Sequence, residues 1–143
     1  MRGTFSLNQN RAEFFCPGMT ERVRILVITD THLFRDDDRG QPFKQYSERM
    51  SKAFNQTTHF KTGQPTNPEE CFEAALAWAC SEKPDLILLL GDIVSFPSQA
   101  GIEWVCERMD ATRIPYIYTA GNHDWHYEGM EGPMADLRKE WTS

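Results

Sequence analysis

Three short apolar runs, each stopping at a polar cluster, constrain the fold of this chain more than any other feature. Val23-Arg24-Ile25-Leu26-Val27-Ile28-Thr29 is rich in β-branched residues and ends at Asp30. Asp85-Leu86-Ile87-Leu88-Leu89-Leu90 closes at Gly91, and Arg113-Ile114-Pro115-Tyr116-Ile117-Tyr118-Thr119-Ala120 closes at Gly121. Such side chains suit the pleated surface of a strand, and runs apolar on both faces fit parallel strands covered by helices. Pro115 falls near the start of the third run, where a missing N–H is tolerated.

The segments between the runs read as helices. Asn67-Pro68-Glu69-Glu70 supplies an N-cap, a proline at the first helical position and a glutamate three residues after the cap. Phe72, Ala75, Leu76 and Ala79 follow at helical spacing, and Pro84 lies just beyond the end. A second face carries Ile102, Val105, Cys106 and Met109, and a third carries Met130, Met134, Leu137 and Trp141. Strand–helix–strand units fold with right-handed crossovers, so the predicted class is α/β with a parallel βαβαβ layer over residues 23–143. Residues 1–22 show no clear period and are expected to form an N-terminal extension. Residues 33–66 form a polar insertion in which Phe43, Tyr46, Met50 and Phe54 suggest one amphipathic helix.

Composition bounds the partners. The chain has 143 residues, 40% of them hydrophobic, enough for a core, and 25% charged, which is ordinary for a globular protein. Its formal charge is −6 and no block of Lys and Arg stands out, so grip on nucleic-acid phosphates is not expected to be its main business. The apolar runs are far too short to cross a bilayer and no signal-like stretch opens the chain, so a cytoplasmic protein without a membrane partner is expected. Cys16, Cys71, Cys80 and Cys106 make no CxxC pair and are expected to be buried free thiols.

The chemistry-bearing residues follow the strands. Asp30-Thr31-His32 follows the first, Gly91-Asp92 the second and Gly121-Asn122-His123-Asp124 the third. In an open parallel sheet the C-terminal strand ends face one crevice, so all three clusters are expected at the same edge. Carboxylate and imidazole donors suit zinc, manganese or ferrous iron, and the absence of thiolates speaks against a structural zinc site. In Asp-x-His, alternate residues leaving an extended strand point the same way. The glycines before Asp92 and Asn122 allow tight turns and close backbone approach.

In this order the three clusters match the DxH, GD and GNH(D/E) blocks of the calcineurin-like metallophosphoesterases, which the chain resembles from residue 23 to about 125. The resemblance implies a phosphate-ester substrate, hydrolysed as by a phosphatase or phosphodiesterase with metal-activated water at a dinuclear site. It further implies two divalent ions (manganese, iron or zinc). Asp30 and His32 would hold the first, Asn122 the second, and Asp92 would bridge them. His123 would sit beside the metals without binding them and stabilise or protonate the leaving group.

The family also carries a late GHxH block and a second sheet. This chain has four histidines, His32, His59, His123 and His126, and no GHxH. It is therefore expected to correspond to the first half of the α/β sandwich, as a truncated gene product, a fragment or one part of a split enzyme. One sheet face and an edge would then stay uncovered unless a C-terminal half or complementing chain covers them. The alternative is a non-catalytic remnant or partner-binding module.

Blander roles are expected elsewhere. His59 and His126 read as surface residues, and Asp36-Asp37-Asp38 as an exposed acidic loop. Trp125 and Tyr127 suit a pocket wall or the core equally, while Trp78 and Trp104 read as helix residues packing on the sheet.

Overall fold

The computed structural model describes residues 4–8, 11–54, 57–59, 62–133, 135, 136 and 139. The N-terminal segment, expected as an extension without period, forms an antiparallel hairpin of β1 (Thr4–Asn8) and β2 (Arg11–Phe15). Phe14 and Phe15 are 72% and 65% exposed, and all five residues of β2 face solvent, so its periodicity carries no burial signal.

The three apolar runs form β3 (Ile25–Ile28), β6 (Leu86–Leu90) and β7 (Tyr116–Thr119), paired in parallel in the order β3-β6-β7. The crossovers are α2 (Pro68–Glu82) and α3 (Gln99–Thr112). Their starts obey the sequence: Asn67 accepts from the Glu70 N–H at 2.9 Å, with Pro68 in the first turn, and Ser98 accepts from the Gly101 N–H at 3.0 Å. Both helices end on left-handed residues, Lys83 and Arg113, which turn the chain back toward the next strand.

Both crossovers step across the sheet in the same direction, and crossovers of one hand then lay both helices on the same face. The other face is left without helices. Ile28, Ile87 and Leu89 pack with Phe72 and Leu76 of α2 and with Trp104, Val105 and Met109 of α3. Each side chain so buried contributes about 1.5–3 kcal/mol. On the opposite face Ile25, Val27 and Ile117 are 52%, 51% and 53% exposed. The expected uncovered apolar face is therefore present.

Several side chains sit differently from the helical pattern read in the sequence. The buried stripe of α3 is Gly101, Trp104, Val105 and Met109, so Ile102 and Cys106 face outward. Trp104 does pack in the core, but Trp78 is 36% exposed because Phe72, Leu76 and Ala79 take the buried side of α2. Cys16, Cys80 and Cys106 are exposed and Cys71 is half-buried, so the thiols are free but not buried. Met130 lies in a turn, and the rest of the third helical pattern, Met134, Leu137 and Trp141, falls outside the described residues.

The insertion has its own packing logic. It contains a 3-10 turn (Asp38–Phe43), α1 (Lys44–Phe54) and a small hairpin of β4 (Thr57–Thr58) and β5 (Pro65–Thr66). The helix expected from Tyr46 and Met50 is present, and Met50 packs with Phe96 and Tyr127 in a second core. Tyr127 is 1% exposed and stacks on Phe43 with centroids 4.7 Å apart, so it is a core residue that also lines a surface cavity between Arg39 and Gln99. Trp125 is buried as well. Asp36 is no part of an exposed acidic loop: its carboxylate accepts from the Ser47 hydroxyl at 2.8 Å, while Asp37 caps the 3-10 turn. No helix among the described residues is long and apolar enough to cross a membrane.

Burial, with a smaller push from the Asp36 carboxylate, raises the Tyr127 phenol to about 12. The unfolded chain loses that proton near pH 10 and the folded chain later, so stability falls as pH rises between those values. Tyr127→Phe should flatten this alkaline loss, measured by urea unfolding at pH 8 and pH 11; an unchanged slope would contradict the burial.

Candidate metal centre

The backbone ladder of the sheet continues beyond the strand ends, and this continuation builds the site. The Asp30 N–H donates to the Gly91 carbonyl at 3.1 Å, His32 N–H to Asp92 at 3.0 Å and Leu33 N–H to Ile93 at 2.9 Å. On the other side the Gly91 N–H donates to the Thr119 carbonyl at 2.9 Å. The first two loops thus run side by side in register, with Leu33 bridged to Val94.

Within this ladder Asp30, His32 and Asp92 all have left-handed backbones, with φ of 54°, 47° and 51°. The expectation of an extended Asp-x-His segment is therefore corrected. Asp and His are among the non-glycine residues that enter this region most readily, at a cost on the order of 1 kcal/mol each. The donor atoms of Asp30, His32 and Asp92 lie within 4.8 Å of one another, the one such three-donor group found among the described residues. Donors bonded to a first-row cation at about 2.0–2.2 Å can be at most about 4.4 Å apart. Side-chain movements of a few tenths of an ångström would close the set, and its oxygen and nitrogen atoms suit a divalent ion.

The third loop is pressed against the second. A Cβ on Gly121 would lie 2.3 Å from the Asp92 carboxylate and 2.6 Å from the Asp92 nitrogen, so only glycine fits. This approach lets the His123 N–H donate to the Asp92 carboxylate at 3.0 Å. Asp124, buried at 7% exposure, accepts from the Val94 N–H at 2.9 Å and the Gly121 N–H at 2.8 Å. One carboxylate thereby ties the second and third loops together. Sequence reading left Asp124 without a role, although an acid three residues after a turn glycine is well placed to accept backbone N–H groups.

The two imidazoles meet edge to face, His32 and His123 having centroids 4.9 Å apart. The His123 Nδ1 lies 3.1 Å from the Ser95 carbonyl. A carbonyl only accepts, so Nδ1 carries the hydrogen, and the neutral ring has its lone pair on Nε2. Burial is the main reason that the His32 pKa lies below its ordinary value; His123 pushes the same way, and the carboxylates of Asp92, Asp30 and Asp124 pull it back. The depressed pKa favours the neutral imidazole, which is the form that binds metal.

Asn122 stands exposed between Gly121 and His123, and its carbonyl is engaged by the His126 Nδ1 at 2.6 Å. His126 is thus attached to the loop and is not merely a surface residue. His59 belongs to the β4–β5 hairpin, where its Nδ1 accepts from the Thr62 N–H at 3.3 Å, apart from the three-donor group.

A parallel α/β layer whose successive strand ends gather carboxylates and imidazole at one edge defines an α/β protein with a candidate metal-ligating edge. Residues 23–142 match the calcineurin-like phosphoesterase family model, and the chain belongs to that family. Over 57 residues, 40% of this chain and 21% of the relative, it is 40% identical to a probable cyclic nucleotide phosphodiesterase of Moraxella catarrhalis (strain BBH18). Over 121 residues it is 29% identical to a probable cyclic nucleotide phosphodiesterase of Psychrobacter sp. (strain PRwf-1), covering 71% of this chain and 36% of that relative. The chain thus spans well under half the length of these relatives.

Asp124→Asn replaces one accepting oxygen with a donor facing a backbone N–H. It should cost about 1–3 kcal/mol of unfolding free energy. Gly121→Ala should weaken Mn²⁺ binding by about tenfold or more, because the Asp92 carboxylate must move. Chemical denaturation and isothermal titration calorimetry check the two, and wild-type values for both variants would refute the packing described.

Proposed function

We propose that this chain supplies the first part of a metal-dependent phosphoester hydrolase site, with phosphodiesters as the substrate class. The convergence of Asp30, His32 and Asp92 from two strand ends carries this reading. Family membership and the phosphodiesterase names of both relatives support it. Asp30 and His32 would hold the first of two divalent ions, Asp92 would serve both, and Asn122 would contribute to the second. When bound, such ions lower the pKa of water and neutralise charge on the transferring phosphoryl group.

The chain's own residues account for the remaining steps. Asp92 has one carboxylate oxygen steadied by the His123 N–H, which limits the rotation of the carboxylate. His123, held through Nδ1 by the Ser95 carbonyl, keeps Nε2 turned to the leaving group; as the imidazolium, with a proton taken up from solvent at Nε2, it delivers that proton to the leaving oxygen and returns to the neutral ring. Burial favours the neutral form of His32, the form that suits a ligand. Manganese, iron and zinc all suit this donor set.

The uncovered face around Ile25, Val27 and Ile117 favours a second reading, a partner-binding module without turnover. Catalysis separates the two. With Mn²⁺, the protein should hydrolyse a bis-aryl phosphodiester, and Asp92→Asn should abolish this. His123→Ala should lower kcat by about 10²-fold or more for an alkyl leaving group and by much less for p-nitrophenol, which needs no proton. Turnover that survives Asp92→Asn would refute the enzymatic reading; equal losses for the two leaving groups would refute the role of His123.

A further inference from the structure

Ser95 lies outside all three motif clusters, yet it is 0% exposed and joins the first loop to the third. Its N–H donates to the Leu33 carbonyl at 2.6 Å, its hydroxyl donates to the His32 carbonyl at 2.8 Å, and its own carbonyl accepts from the His123 Nδ1 at 3.1 Å. Two of these bonds use backbone atoms and would form with many residues at this position. The hydroxyl bond needs a donor side chain, and it falls on the residue whose ring belongs to the three-donor group.

His32 has a left-handed backbone with φ of 47°. That conformation decides where its imidazole points, and an L-residue leaves it readily unless its flanking peptides are held. The peptide nitrogen of His32 is held by the Asp92 carbonyl at 3.0 Å, and its carbonyl is held by the Ser95 hydroxyl. The same serine anchors the ring that lies 4.9 Å from the imidazole of His32.

We propose that Ser95 is a positioning residue that holds His32 in its ligating orientation and sets the placement of His32 relative to His123. This rests on the reading of Asp30, His32 and Asp92 as metal ligands. Supports that act through a ligand typically change metal affinity by about 10–100-fold when removed.

The test compares Mn²⁺ affinity by isothermal titration calorimetry for wild type, Ser95→Ala, Val94→Ala and Asp92→Asn, with urea unfolding of each apo form. Val94→Ala is the control for generic core loss, since Val94 is 4% exposed on the same segment and its link to Asp124 uses only the backbone N–H. Ser95→Ala should weaken Mn²⁺ binding about tenfold and shift the His32 imidazole ¹⁵N resonances, while Ser95→Thr, which keeps a hydroxyl, should recover part of the affinity. Val94→Ala should lose stability with Mn²⁺ affinity unchanged. Wild-type affinity in Ser95→Ala, or an equal loss in Val94→Ala, overturns the role of Ser95 while leaving the metal centre intact. Binding that persists in Asp92→Asn, or no binding by the wild type, overturns the metal centre itself and the role of Ser95 with it.

Discussion

The parallel hydrogen-bond ladder does not end where β3 and β6 end. It runs on from Asp30 and Gly91 to Leu33 and Ile93, and the candidate ligands are residues of this continuation. In a strand proper, successive side chains alternate between faces, and a donor group would be split across the sheet. Here the left-handed turns at Asp30, His32 and Asp92 break the alternation while the ladder keeps both backbones in register. The donors converge because their backbones are unusual and their hydrogen bonds are ordinary.

Such a conformation needs support, since each left-handed non-glycine residue is disfavoured by itself. The support comes from the loops. Gly121 allows the third loop to press on Asp92, Asp124 ties that loop to Val94, and Ser95 reaches back to His32. Beneath them Leu33, Ile93 and Val94 are buried in the main core. The polar links therefore sit on an apolar floor from which water is excluded, where a satisfied hydrogen bond is strong and a missing partner is costly.

Much of this was legible in the sequence, for physical reasons. The strands declared themselves through β-branched runs, α2 through the Asn67-Pro68 start, and the candidate site through polar clusters at strand ends. The left-handed turns were not legible, because Asp30 and His32 carry no glycine to announce them. Nor was Ser95, since two of its three links are made by backbone atoms and no side-chain pattern reports them. The α3 stripe was misjudged by one residue's rotation: Trp104, clasped by the guanidinium groups of Arg35 and Arg108 at 5.4 Å and 4.7 Å, turns inward and takes the place given to Ile102 and Cys106. A tryptophan with its apolar body buried and cations over its ring outweighs two smaller apolar residues.

The two sides of the site are held to different degrees. Asp30, His32 and Asp92 follow β3 and β6, whose inward residues are buried, Ile87 and Leu89 of β6 at 0% and 1% exposure and Ile28 of β3 at 8%. Asn122 follows β7, an edge strand whose four residues are all exposed, some of them on the uncovered face. Its position therefore depends less on core packing and more on the clamp of Asp124 and the Gly121 contact. That asymmetry matches the proposed division of labour. β3 and β6 carry the candidate three-donor group, a number of donors that can suffice for one cation, and β7 leads to Asn122, which under that proposal would need further donors to complete a second position. A cover on the Ile25, Val27 and Ile117 face would stiffen β7 from the side that α2 and α3 leave bare. The covering layer and the second metal position would then be coupled through that one strand.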